Sequence, residues 1–146
     1  LHDRETAHTM NLKSNGSSRA NNYDVEPLIR MSNTVMQPGD YSEEELFEDV
    51  KKGVYLKSFM EWNIDDKRFQ QKYVGNEAYL IKNGRIGEPV RNPALEITTS
   101  ALYSSVDALG KEIQLFPGNC GKGEPMQGMP VYMGGPAMRL RNLRIG

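Results

Sequence analysis

The sequence lacks the features of a secreted or membrane-inserted protein. It contains one cysteine, Cys120, in 146 residues, so no disulfide can form within the chain. No apolar run approaches the ~18 residues that a membrane-spanning helix needs. No basic start followed by an apolar stretch indicates a signal peptide. We therefore expect a cytoplasmic protein that does not bind membranes.

The sequence also lacks an excess of charge of either sign. Its 18 lysine and arginine residues stand against 19 aspartate and glutamate residues, for a formal net charge of -1. Nucleic-acid-binding domains usually carry a basic surface that contacts phosphates, so this balance argues against a nucleic-acid partner. Arg139, Arg141 and Arg144 are predicted to lie on solvated strand faces, the first two on one face and the third on the other.

Length and composition predict a single α+β domain that is rich in turns. A chain of 146 residues with 14 glycines and 8 prolines lies within or close to the usual size of one domain, about 100–150 residues. Helical and strand patterns alternate irregularly, which favours a mostly antiparallel β-sheet with two short helices. The chain begins at Leu1 rather than at methionine. We therefore expect residues 1–146 to be one partial domain of a longer polypeptide.

The clearest predicted helix covers residues 43–52. Ser42 and Glu45 form the pattern of a capping box, and Gly53 follows as a C-terminal stop. A second helix is predicted over residues 100–109, with Thr98 or Thr99 as its N-cap.

Most of the remaining chain is predicted as strands and turns. The Asn83-Gly84 pair between two apolar runs is the strongest short-range signal of a β-hairpin. A turn is predicted at residues 37–40, loops at 14–22 and 117–128, and an irregular crossing at 61–66. Extended segments are predicted at residues 25–36, 54–60, 69–74, 77–82, 85–90, 111–116, 131–133 and 137–145.

Cys120 is the first candidate for chemistry. It lies in Pro-Gly-Asn-Cys-Gly-Lys-Gly at residues 117–123, where the neighbouring glycines leave the sulfur uncovered. A thiolate forms at neutral pH only beside a positive charge or a metal, which Lys122 or a bound ion could supply. The alternative is an inert, half-buried cysteine in a turn.

The two histidines do not form an obvious metal site with Cys120. His2 and His8 are separated by six positions in a polar segment without periodicity. Zinc ligands usually occur at closer spacings with supporting partners. A solvated pair is the simpler interpretation.

Several stretches resemble the C-terminal part of the TldD/PmbA proteins, the "modulator of DNA gyrase" family of metallopeptidases. Asn-Gly-Ser-Ser-Arg at 15–19 corresponds to a glycine-rich loop of that family. The others, in chain order, are LIRMSNT at 28–34, PGDY at 38–41, GVY at 53–55, NEAYLIKNGRI at 76–86 and GNCGKGE at 118–124, with the match running on to Gly146. The ordered match over nearly the whole chain is more specific than any single motif.

The resemblance implies a zinc site that this chain would complete only in part. TldD-type subunits carry His-Glu-x-x-x-His on a helix and a cysteine from the C-terminal glycine loop, so Cys120 would be a zinc ligand. The His-Glu-x-x-x-His motif does not occur in residues 1–146. We expect residues 1–146 to contain no catalytic residue of their own and to be inactive alone.

The resemblance also implies substrates and partners. Family members hydrolyse unfolded or flexible peptides, which suggests that Asn119 and Gly121 beside the cysteine bind substrate. They act as dimers, here either a homodimer or a heterodimer with a PmbA-like subunit. The alternative function is that of a catalytically silent PmbA- or TldE-like partner or scaffold, in which Cys120 is structural.

Overall fold

The protein consists of three short helices and eight strands. A computed structural model describes all residues from 1 to 146. In chain order the elements are α1 Arg4–Thr9, β1 Ser18–Arg19, β2 Leu28–Ile29, α2 Glu43–Phe47, β3 Lys52–Ile64, β4 Gln70–Lys82, β5 Arg85–Pro89, β6 Ala94–Thr98, α3 Thr99–Ser104, β7 Val106–Lys122 and β8 Gln127–Leu140. The predicted α+β class with mostly antiparallel strands is confirmed, with one more helix than predicted.

The chain divides into two units. The first contains Leu1–Gln37 and Ile113–Gly135, and the second contains Pro38–Glu112 and Pro136–Gly146. Strands β7 and β8 pair with each other and contribute residues to both units. The three helices have only five or six residues each, too few to span a bilayer.

The second unit is built on a four-stranded antiparallel sheet. Strand β4 is central, because β3 pairs along its whole length and β5 and β6 pair with its other edge. Ala78 and Ile81 on β4 and Leu95 on β6 are buried, and Leu46 of α2 is buried in the same unit. These side chains form the apolar core of the unit, and their removal from water stabilises its fold.

Helix α2 begins where it was predicted to begin but ends earlier. The Ser42 hydroxyl accepts from the Glu45 amide at 3.2 Å, and Glu45 accepts from the Ser42 amide at 2.6 Å, which confirms the capping box. The helix ends at Phe47, so the prediction of a helix to residue 52 is wrong. Lys52 already pairs with Lys82 on β4, and this pairing places Gly53 inside β3 instead of at a helix stop.

The sheet strands are longer than their local sequence pattern predicts. The Asn83-Gly84 hairpin is confirmed, with φ of 48° and 75° at its two residues. The irregular crossing predicted at 61–66 is wrong over 61–64, because β3 continues to Ile64 after bulges between Leu56 and Glu61. The segments predicted at 69–74 and 77–82 are one strand, which passes through the buried Gly75.

The second predicted helix is also shorter than expected. Thr98 caps α3, but the helix ends at Ser104, so residues 106–109 belong to β7. The predicted turn at 37–40 does not form; the Gly39 amide instead donates to the Gly110 carbonyl at 2.9 Å. Hydrogen bonding to β7 therefore takes the place of the predicted turn.

Strands β7 and β8 replace most of a predicted loop. Cys120 lies within β7, and the turn between β7 and β8 is limited to residues 123–126. The prediction of a loop over 117–128 is therefore wrong. Strand β8 also continues through Gly134 and Gly135, where a break was predicted, and ends at Leu140. The positive φ of both residues, 150° and 157°, requires glycine.

The first unit contains a helix that was not predicted. Helix α1 starts after Asp3, whose carboxylate accepts from the Thr6 amide at 2.7 Å, and it buries Ala7. Strands β1 and β2 form a two-stranded antiparallel sheet, with Ser18 opposite Ile29. The expected loop at 14–22 is thus interrupted by a short strand.

Candidate functional site

The candidate site is the end of the β7–β8 hairpin in the first unit. Cys120 lies there, three residues before the turn, as a free and half-buried thiol. Its backbone carbonyl accepts a hydrogen bond from Nη2 of Arg30. The cysteine is therefore on a strand whose backbone is held by a side chain from another segment of the same unit.

Arg30 is the most unusual side chain of this unit. It is completely buried, with a relative exposure of 0%. Its Nη2 donates to the carbonyl of Cys120 and, at 3.0 Å, to that of Gln127, the first residue of β8. Nε and Nη1 have no hydrogen-bond partner, and Arg30 forms no ion pair. The guanidinium is thus a buried positive charge bonded only to backbone carbonyls.

The segment that carries Arg30 is itself well ordered by hydrogen bonds. The Arg30 amide donates to the carbonyl of Ser17 at 2.8 Å, and Ser17 is buried. The side-chain oxygen of Asn15 accepts from the Ser17 amide at 3.2 Å and from its hydroxyl at 2.6 Å. Gly16 between them has a φ of 66°, a conformation that suits glycine. The turn at residues 15–17 therefore supports the segment that carries Arg30, which directly follows β2.

Two more side chains join the hairpin end to the same segment. The buried Gln127 donates from Nε2 to the carbonyl of Glu26 at 2.9 Å and accepts from the amide of Asn21 at 3.4 Å. Lys122 donates from Nζ to the carbonyl of Ile29 at 3.0 Å. The ammonium considered above as a charge partner for the Cys120 thiolate is therefore bonded to a backbone carbonyl.

The residues flanking Cys120 are open to solvent. Asn119 and Gly121 are both exposed on β7. A Cβ added at Gly121 would lie 2.9 Å from the sulfur of Met126, so packing against the turn is one reason for glycine here. Their accessibility is compatible with the predicted substrate contacts, which remain a prediction.

The residues of this chain do not complete a metal site by themselves. No group of three or more His, Cys, Asp or Glu side chains could hold an ion. His8 is exposed, and Nε2 of the half-buried His2 lies 3.3 Å from the carbonyl of Lys13. A catalytic zinc needs about three protein ligands and one open position. The chemistry of Cys120 suits one of those ligands, because a thiolate is a soft donor and this thiol is free and only half-buried.

The comparisons with known proteins identify the family of the whole chain. Residues 1–146 match the family model described as PmbA/TldA metallopeptidase C-terminal domain. The chain belongs to this family. The resemblance stated from the sequence is thereby confirmed.

Relatives within the family carry metalloprotease names. A "Metalloprotease" of Methanothermobacter thermautotrophicus is 37% identical over 146 residues, which are 100% of this chain and 32% of the relative. A "Zinc metalloprotease TldD homolog" of Saccharolobus solfataricus is 35% identical over 132 residues, which are 90% of this chain and 29% of the relative. The chain thus spans about a third of the length of the curated relatives that it matches.

The fold agrees with a solved structure of the family. The crystal structure of TldE from Thermococcus kodakarensis matches with a TM-score of 0.76 at 16% identity, covering 99% of this chain and 30% of that one. At this identity the similarity concerns the fold. It confirms the mostly antiparallel α+β architecture.

Sequence reasoning identified Cys120 but missed Arg30. Arginine is almost never fully buried unless it is paired, so composition offered no reason to place it in a core. The one available signal is its position between Ile29 and Met31, where a charged residue interrupts an apolar segment.

Proposed function

We propose that this chain is part of a zinc-dependent peptidase of the TldD type, in which Cys120 is a zinc ligand. The observation that carries the proposal is a free, half-buried thiol at the end of a hairpin in a chain of a metallopeptidase family. The "Zinc metalloprotease" name of the Saccharolobus relative supports the choice of metal. Because the chain spans about a third of its relatives, the other ligands would come from residues outside 1–146.

The role of this chain is to present one donor and part of the substrate surface. Zinc, when bound, polarises a peptide carbonyl and activates a water molecule for hydrolysis. Cys120 would bind it as a thiolate, on a strand whose backbone is restrained at this point because its own carbonyl accepts a hydrogen bond from Arg30. Hydrogen bonding of an extended peptide to a strand backbone is tolerant of side-chain sequence, which suits unfolded or flexible substrates. Asn119 and Gly121 are the exposed positions for such contacts.

The assembly is proposed on the same family basis. We propose a dimer, formed either by two copies of this protein or with a PmbA-like subunit. Size-exclusion chromatography with light scattering of the purified protein, alone and with such a subunit, distinguishes the two forms.

A second candidate is a catalytically silent partner subunit in which Cys120 is structural. It is favoured by the half-buried setting of Cys120, whose backbone carbonyl accepts from the buried Arg30, as suits a cysteine with a structural role. The two candidates differ at full length: the peptidase binds zinc through Cys120, and the silent subunit binds none.

The deciding experiment measures zinc in the native full-length protein. Elemental analysis and peptidase assays are made on wild type, on Cys120→Ser and on Met126→Leu, a control at an exposed turn position of the same hairpin. Zinc and activity in wild type and control but not in Cys120→Ser support the peptidase. Equal zinc in Cys120→Ser rejects the ligand assignment, and zinc-free wild type after loading favours the silent subunit.

A further inference from the structure

We infer that Arg30 is the positioning residue of Cys120: its buried guanidinium fixes the backbone that carries the thiol. An effect of Arg30 on metal binding by Cys120 rests on the proposed function. An effect of Arg30 on the opening of the hairpin does not. The inference starts from the two hydrogen bonds of one nitrogen, Nη2, to the carbonyls of Cys120 and Gln127.

These two bonds bridge the hairpin at its end. Cys120 lies on β7 before the turn and Gln127 begins β8 after it, with residues 123–126 between the strands. Because one guanidinium nitrogen is bonded to a carbonyl on each strand, the hairpin cannot open or twist at this point without breaking a hydrogen bond. A planar guanidinium holds its N–H donors in fixed directions and can therefore fix both carbonyls. A lysine ammonium at the end of a flexible chain would act only as a point charge.

The burial of Arg30 is expensive, which argues against a role in stability alone. A buried charge is costly unless it is paired, and Arg30 has no carboxylate partner. Nε and Nη1 are also without partners. Well-packed apolar residues often replace buried charges without loss of stability, so a stability role alone does not require arginine at this position. What the arginine adds is one directed bond to each strand of the hairpin that carries the cysteine.

The same unit contains a matched arginine that lacks this relationship. Arg19 on β1 also donates from Nη2 to a backbone carbonyl, that of Met31, at 3.0 Å. It is partly exposed and has no hydrogen bond to the hairpin. Arg19→Lys therefore serves as a control for the loss of one arginine–carbonyl bond in this part of the molecule.

The test compares Arg30→Lys and Arg30→Met with Arg19→Lys in the native full-length protein. Amide hydrogen exchange is measured for peptides covering residues 117–128, with residues 113–116 and 131–135 of the same unit as the internal reference. We expect exchange at the hairpin end to be about tenfold faster or more in Arg30→Met, less so in Arg30→Lys, and unchanged in Arg19→Lys, because bonds to a charged donor are lost. Unchanged exchange at 117–128 in both Arg30 variants overturns the inference.

Exchange in the reference residues distinguishes a positioning role of Arg30 from a general role in stability. If exchange at residues 113–116 and 131–135 accelerates as much as at 117–128 in either Arg30 variant, Arg30 serves the general stability of the first unit and the inference fails. Arg30→Lys retains the charge, so it provides a folded variant if Arg30→Met unfolds. Acceleration confined to the hairpin end supports positioning.

The effect of Arg30 on metal binding by Cys120 is measured by absorption spectroscopy of the cobalt-substituted protein. We expect the thiolate-to-cobalt charge-transfer band to weaken in the Arg30 variants and to persist in Arg19→Lys. If Cys120→Ser keeps this band, the proposed function fails while the hydrogen-exchange result still decides the positioning of the hairpin. If Cys120→Ser abolishes the band but neither Arg30 variant changes it, Arg30 does not position the ligand.

Discussion

Arg139 and Asp107 form a bidentate ion pair. Nε of Arg139 donates to Oδ1 of Asp107 at 2.9 Å, and Nη2 donates to Oδ2 at 3.1 Å. Arg141 also donates to Asp107, and both arginines donate to Asp49. Arg141 lies one residue beyond the end of β8, so the prediction that both arginines lie on one strand face is wrong for Arg141, although the two share both carboxylates. The expected solvation is wrong for Arg139, whose side chain is 13% exposed.

The first prediction concerns Asp107. Hydrogen bonding by Arg139, followed by that of Arg141, lowers the pKa of Asp107 below its ordinary value. The carboxylate therefore stabilises the folded state above the unfolded pKa of about 3.9, and this contribution is lost as the pH falls through the folded pKa. Asp107→Asn should lower the free energy of unfolding by about 1 kcal/mol at neutral pH. Urea unfolding between neutral and acid pH measures both effects.

A surface ion pair supplies the comparison for Asp107. Glu96 pairs with Lys72 at 2.9 Å, but its side chain is 71% exposed. Glu96→Gln should leave the free energy of unfolding essentially unchanged, because solvent screens the pair. An Asp107→Asn variant as stable as Glu96→Gln, with unaltered acid sensitivity, would contradict the importance of the four-residue cluster.

The second prediction tests the capping box of α2. Ser42→Ala removes the oxygen that accepts from the Glu45 amide and should destabilise the second unit by about 1 kcal/mol. Glu44→Ala is the control, because Glu44 is an exposed neighbour in the same turn with no capping bond. Chemical denaturation followed by circular dichroism measures the difference. Equal stability of the two variants would show that the cap contributes nothing.

The third prediction concerns Tyr55 at alkaline pH. Burial, together with a hydrogen bond to Glu43 at 2.6 Å, raises the pKa of Tyr55 to about 12. The protonated phenol stabilises the folded state fully below the unfolded pKa of about 10, and this contribution disappears as the pH rises toward the folded pKa. Glu43→Gln should lower the pKa of Tyr55 without returning it to 10, because burial remains.

Phenolate absorbance measures this titration. Subtracting the titration curve of Tyr55→Phe from that of the wild type isolates Tyr55 from the other tyrosines. A difference curve centred near pH 10 in the wild type would show that neither burial nor Glu43 acts on this group.

Local chemistry made some elements predictable from the sequence. The Asn83-Gly84 turn and the Ser42–Glu45 box each depend on residues within four positions of one another, so the sequence pattern contains all the information needed. The end of α2 depends instead on pairing between Lys52 and Lys82. No local pattern reports a partner thirty positions away, and the helix was therefore predicted too long.

The candidate cysteine could be named from the sequence, but its structural surroundings could not. A single cysteine among glycines drew attention to Cys120, and the family resemblance indicated its role. The glycines at 118 and 121 suggested a loop, whereas in the structure they lie in β7, and an added Cβ would meet the side chains of Met133 and Met126. Arg30 was missed because its burial depends on carbonyls some 90 residues away in the chain.

The fourth prediction tests the glycine that lets β8 continue where a break was expected. Gly134 has a φ of 150°, and a Cβ there would overlap the carbonyl oxygen of Gln114 on β7. Gly134→Ala should therefore destabilise the first unit by about 2 kcal/mol or more, from backbone strain together with the displaced strand. Gly128→Ala on the same strand is the control, since nothing lies within 4 Å of an added Cβ. It should change stability by no more than about 0.5 kcal/mol. Thermal unfolding of both variants compares them directly, and an unaffected Gly134→Ala protein would mean that β8 does not follow this path beside Gln114.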